Sequence, residues 1–141
     1  MLDALRMSLN AQAVIGFILY ISVALVLFWL FQFIYTHLTP HREFALIRDN
    51  NSAAAIALGG ALIGFSLPAS NIIAYSVGLL DFVVWVVIAA VVQLLAFAIT
   101  SLVLKGLASR IAKGEMAAAI YAAAVAISVG FLNSACMTPS V

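Results

Sequence analysis

Charge is what this sequence has least of. Only 8% of its 141 residues are Asp, Glu, Lys or Arg, six basic and five acidic, while 67% are hydrophobic. A soluble domain carries roughly a quarter charged residues to keep its surface wet. A water-exposed globule is therefore excluded, and the solvent is lipid. The net charge of +1 gives no clustered basic face of the kind that nucleic acid requires. Cysteine is nearly absent as well. Cys136 stands alone, which excludes an internal disulfide framework.

What is present is a set of long uncharged runs. No charged residue lies between Arg6 and Arg42, between Asp49 and Asp81, between Asp81 and Lys105, or after Glu115. A helix rises about 1.5 Å per residue, so about 20 residues cross a hydrocarbon core about 30 Å thick. Each gap holds one crossing, and none comfortably holds two. The expected spans are Val14 to Thr36, Ala53 to Val77, Phe82 to Leu104, and Ala117 to Met137. The first run is longer than a signal-peptide core and lacks a small-x-small cleavage site, so it reads as a retained span.

The polar connections differ in charge. The first, His37 to Ser52, holds Arg42 and Arg48; the third, Lys105 to Met116, holds Lys105, Arg110 and Lys113. The connection near Leu79 to Asp81 holds no base. Five of the six basic residues thus share one side, and the positive-inside rule makes that side cytoplasmic. Both termini are then expected outside, in the periplasm if the membrane is a bacterial inner one.

The spans also differ in bulk. Span one is aromatic, with Phe17, Tyr20, Phe28, Trp29, Phe31, Phe33 and Tyr35, while span four is rich in alanine and span two opens on Ala53-Ala54-Ala55. Small residues let helix backbones approach closely in lipid, where dispersion rather than hydrophobicity drives pairing. Spans two and four are expected at the centre and span one outside, with Phe28 toward lipid. Gly59, Gly60, Gly64 and Ala123 are the candidate packing positions, and Gly60 and Gly64 form a Gly-x-x-x-Gly pattern. The partner across that pattern, span four or a second subunit, is open.

An internal repeat fits this layout. Arg48-Asp49-Asn50-Asn51-Ser52-Ala53-Ala54-Ala55-Ile56 resembles Ala112-Lys113-Gly114-Glu115-Met116-Ala117-Ala118-Ala119-Ile120 at a spacing of 64. Both halves read as an apolar span, a basic loop and a small-residue span. The expectation is a single membrane domain over 1–141, with repeat one over 14–78 and repeat two over 79–138. The fold class is all-α, an integral membrane protein of four transmembrane helices in two parallel helical-hairpin repeats.

Several stretches resemble the YjfL-like family of bacterial inner-membrane proteins. They are Arg42 to Asn50, Ala53 to Phe65, Asp81 to Gln93 with Trp85 in place, and Gly130-Phe131-Leu132-Asn133-Ser134-Ala135-Cys136-Met137-Thr138. The resemblance implies four spans, a bacterial inner membrane and two copies of a two-span domain. It supplies no catalytic residues. Members tend to stand beside phage-shock-protein-A-like and glutathionylspermidine-synthase-like proteins, which implies envelope stress or polyamine chemistry.

Few residues suggest chemistry. His37 and His41 have the spacing of a helical metal pair, yet Pro40 between them breaks the helix that would align their rings. Cys136 and Met137 are soft ligand types, but neighbouring helical residues point about 100° apart, and neither His lies on their side. Asp81, directly before Phe82, reads as the N-cap of span three, or else as a proton or cation site near the outer surface. Gln32, Asn71, Gln93 and Asn133 are uncharged amides that hydrogen-bond between helices or line a path. Asn71 follows Pro68, which removes one helical hydrogen bond and frees a carbonyl.

The best reading is an oligomeric membrane scaffold or docking component linked to envelope stress, a homo-oligomer with no enzymatic activity, cofactor or metal. Its partners are the lipid bilayer and a peripheral cytoplasmic protein of the phage-shock-protein-A-like type, met by Arg42, Arg48, Arg110 and Lys113. Nucleic acid is not expected among them. The alternative is a small channel or transporter for ions or polyamines, its polar path made by Asn71, Asp81 and Asn133.

Overall fold

The structure, a computed structural model, describes residues 1–40 and 42–137. Among them every regular element is a helix. These are α1 (Leu2–Ser8), α2 (Ala11–Leu38), α3 (Glu43–Arg48), α4 (Ser52–Tyr75), α5 (Leu79–Val103), α6 (Leu107–Ala112) and α7 (Met116–Cys136). Four of them, α2, α4, α5 and α7, are long and apolar enough to cross a membrane. Helices are forced there, because lipid offers no partner to a backbone N–H or C=O. Each span lies within a few residues of its expected position.

Two of the four spans, α2 and α4, start on asparagine caps. The Asn10 side chain accepts a hydrogen bond from the Ala13 N–H at 2.7 Å and starts α2. The Asn51 side chain does the same for Ala54 at 3.0 Å and starts α4. For α5 the structure corrects the expectation. Gly78 is the N-cap, and Asp81 lies inside the first turn. Its carboxylate reaches back past the cap to accept the Val77 N–H at 3.2 Å, one residue before the N-cap N–H that a capping box would engage. The apolar pair Leu79-Leu80 extends the helix ahead of the acid.

Each basic connection contains a short helix that sequence reading did not anticipate. Both end in the same turn. After α3, the Asn50 N–H donates to the Ile47 carbonyl and the Asn51 N–H to that of Leu46. After α6, Gly114 donates to Ile111 and Glu115 to Arg110. These are Schellman closures, which need a left-handed residue: Asn50 has φ 65° and Gly114 φ 80°. α3, its closing turn and the start of α4 thus recur 64 residues later as α6, its turn and the start of α7.

α4 and α7 form the principal contact, α5 packs against both, and α2 lies across α4 and α5. A Cβ on Gly60 would stand 2.5 Å from Ala123 Cα, so the two backbones touch. Gly64 sits against Ala126 and Gly130 one and two turns further on. Gly59 takes no part in this seam, since open space lies beyond its Cα; one residue along a helix turns the direction by about 100°.

Two cores result. Ala53, Ala54, Ala57, Ala118, Ala119 and Ala122 pack with Leu107 and Ile111 of α6 at the basic end. Phe31, Leu58, Phe65, Ile72, Phe82 and Val86 fill the rest, and Phe31 stacks on Phe65 with centroids 4.3 Å apart. α2 is therefore two-sided. Trp29 and Phe33 face outward, while Phe31, Gln32 and Tyr35 are buried. Phe28 packs partly buried against the second core, not on the lipid face, because it lies one turn before Phe31 and Gln32 on the same stripe.

Candidate functional site

Three places carry polar groups: the basic end, the interior at mid-bundle, and the opposite end.

At the basic end α6 is anchored by Leu107 and Ile111, which leaves its polar positions facing out. The Asn51 side chain ties the two connections together, donating to the Ile111 and Ala112 carbonyls at 3.2 and 3.1 Å. One amide thus caps α4 and clamps α6. Arg42, Arg48 and Lys113 are exposed, whereas Arg110 is paired with Glu115. Between α3 and α6 lies an open groove of about 710 Å³, walled by Arg42, Leu46, Asp49, Ala108 and Ser109 among others. Glu43 departs from the loop pattern, being only 2% exposed. Neither Asn51 nor Glu43 stands out in the sequence. A polar residue inside a charged loop gives no periodic signal, and only the fold shows which one turns inward.

Within the bundle, Gln93 is 4% exposed and its Nε2 donates to the Ala126 carbonyl at 3.1 Å. Gly64 leaves the room for that amide to pass, since a Cβ there would collide with it. Gln93 also lines a small cavity with Tyr35, Thr100, Phe31 and Phe97.

At the opposite end the Asn71 side chain donates to the Ser134 carbonyl at 2.7 Å, and the Ser134 hydroxyl to that of Leu67 at 3.4 Å. Asn133 donates to the Ala89 carbonyl at 3.4 Å. These amides join α4 to α7 and α7 to α5. Asp81 lies apart, on the wall of a cavity of about 300 Å³ shared with Tyr75, Trp85, Cys136 and Met137. Asn71 and Asn133 do not line that cavity. The three residues of the expected polar path are therefore not gathered around one space.

His37 Nδ1 lies 2.8 Å from the Phe33 carbonyl, within its own helix; His41, its expected partner, lies outside the described residues. Among the described residues no three of His, Cys, Asp or Glu converge as metal ligands would.

Four apolar helices with polar contacts spent on joining them define a multi-pass integral membrane protein. The chain belongs to the family described as Domain of Unknown Function (DUF350), whose model matches residues 8–137. It is 40% identical to the inner membrane protein YjfL of Escherichia coli K12 over 119 residues, 84% of this chain and 89% of that protein. The YjfL of Escherichia coli O157:H7 aligns equally well. No solved structure matches the chain significantly. The similarity supports an inner-membrane location.

Proposed function

We propose that this protein is an oligomeric inner-membrane scaffold whose basic end docks a partner at the cytoplasmic surface. The observation that carries the reading is the construction of that end. The short helix α6 is held down by buried Leu107 and Ile111 and by the Asn51 clamp, while Arg42, Arg48 and Lys113 point into solvent. Five of the six basic residues lie there, which supports a cytoplasmic position for it and an outer one for both termini.

Basic groups at a membrane surface attract anionic head groups at about 1 kcal/mol for each Lys or Arg, and the same charge favours acidic peripheral proteins. A protein of the phage-shock-protein-A-like type, tied to envelope stress, is the partner that the family resemblance favours. The recurring helix-and-turn unit supports two parallel repeats about an axis along the membrane normal. Assembly into homo-oligomers is supported by the outer face of α4, where Ala55 and Gly59 are small and only Gly59 is partly covered.

A channel or transporter for ions or polyamines is less well supported. Such a path would run between α4 and α7, where the backbones touch at Gly60 and Ala123. The test replaces Arg42, Arg48, Arg110 and Lys113 with Gln and follows what co-purifies in mild detergent. Release of the partner, reproduced by added salt because the attraction is screened within about 10 Å, supports docking. Retention of the partner by the fourfold variant would overturn it.

A further inference from the structure

We infer that the cavity beside Gln93 is a binding site for a single water molecule in the middle of the membrane. Gln93 is 4% exposed, and its Oε1 has no hydrogen-bond partner. Its Nε2 is fixed on the Ala126 carbonyl at 3.1 Å, so the amide cannot turn over to satisfy Oε1 without losing that bond. A buried acceptor left without a donor is costly in lipid, and such groups are found paired with protein or with ordered water.

The space next to it has the size for one water. The cavity measures about 10 Å³, at the lower end of what one water requires. Its chemistry matches as well. Thr100 lines it and donates its hydroxyl proton to the Ala96 carbonyl at 2.7 Å, which leaves the oxygen free to accept. Tyr35 lines it too and carries a hydroxyl that can donate. A water there donates to Gln93 Oε1, and Thr100 and Tyr35 are the other hydrogen-bonding side chains on the cavity wall, partners of the kind that buried waters use. A metal cation fits poorly, because no carboxylate lines the cavity. Phe31, on the cavity wall, is stacked on Phe65 with rings 5° from parallel.

The experiment is solid-state NMR of the full chain in bilayers, measuring magnetisation transfer from water to the side-chain amides. Fast transfer is expected at Gln93 and slow transfer at Asn133. It should be independent of whether sodium or potassium is present. In Ala96→Val, two added methyl groups occupy the cavity, and transfer at Gln93 should fall to the Asn133 level. A wild-type Gln93 as slow as Asn133 would overturn the inference, and so would dependence on the cation. Persistence of the signal in a folded Ala96→Val protein also overturns it, since the water would then lie elsewhere. The wild-type arm decides alone if that variant does not fold.

Discussion

The Cα of Gly130 lies against the carbonyl oxygen of Gly64, so closely that a Cβ on Gly130 would collide with it. That oxygen is the one that Pro68, lacking an N–H, leaves without its helical donor. Pro68 is itself buried in the seam. The proline therefore frees a carbonyl, and the glycine brings a polarised Cα–H up to it, a weak but favourable contact. Gly130→Ala and Gly64→Ala should each lower stability by about 1–3 kcal/mol through overpacking. Reversible unfolding in bicelles measures this. If both variants match the wild type, the seam is looser than described.

Gly59 predicts the opposite behaviour. Nothing stands within 4 Å of a Cβ built there, so Gly59→Ala should be neutral or stabilising by up to about 1 kcal/mol, the helix-propensity gain. Gly59→Leu should leave the folded subunit intact yet weaken assembly, because it fills the outer face that a second copy would approach. Subunit counting by single-molecule photobleaching reads the outcome. Unchanged oligomers in Gly59→Leu would move the interface to another helix.

Aromatic positions on α2 separate the buried side from the lipid side. Trp29 is 61% exposed, and Trp29→Leu should change thermal stability little. Phe65→Ala removes the ring stacked on Phe31 and leaves a void. Lipid is as apolar as the protein interior, so the transfer part of the usual loss is small and about 2 kcal/mol remains for lost packing. Equal effects of the two substitutions on the melting temperature would mean that α2 is rotated from the orientation described.

Much of this fold was legible because charge marks membrane boundaries. Arg42, Asp49, Asp81 and Lys105 bracket the spans, and the helix ends fall near them. Alanine and glycine content pointed to α4 and α7, but only backbone geometry separates Gly60 from Gly59. What sequence concealed is local. α3 and α6 are six residues each, too short for a periodic signal, and their Schellman turns rest on the backbone at Asn50 and Gly114. Phe28 cannot be oriented from sequence, because an all-apolar helix has no polar face to set its rotation. At the start of α5 the acid Asp81, and not the capping Gly78 before the apolar pair, is the conspicuous residue in sequence. The burial of Glu43 had no signature at all.

Orientation is tested with thiols. After Cys136→Ser, which removes the exposed native thiol, single cysteines are placed at Ser52 and Ser109. Both positions are exposed at the basic end. Asn50 is a poor choice there, because φ 65° strains most side chains. Impermeant reagents added to intact cells should label neither site until the membrane is opened. A cysteine at Val77, 94% exposed at the other end, should label at once. The reverse pattern would place the basic end outside and remove the cytoplasmic docking surface with it.

The final prediction concerns the three polar residues at the opposite end. If Asn71, Asp81 and Asn133 lined a path, alanine at all three would abolish flux and leave assembly alone. Their bonds argue for another result. Asn71 holds the Ser134 carbonyl on α7, Asn133 holds Ala89 on α5, and Asp81 holds the first turn of α5. Interhelical bonds of this kind average about 0.6 kcal/mol in membranes, and the loss of a cap-type bond costs about 1 kcal/mol. The triple variant should therefore unfold about 2 kcal/mol more easily, the sum of those losses. Liposomes carrying the wild type should pass ions and polyamines no faster than empty ones, and the variant no differently. Wild-type flux that vanishes in the variant, with stability unchanged, would replace the scaffold by a transporter.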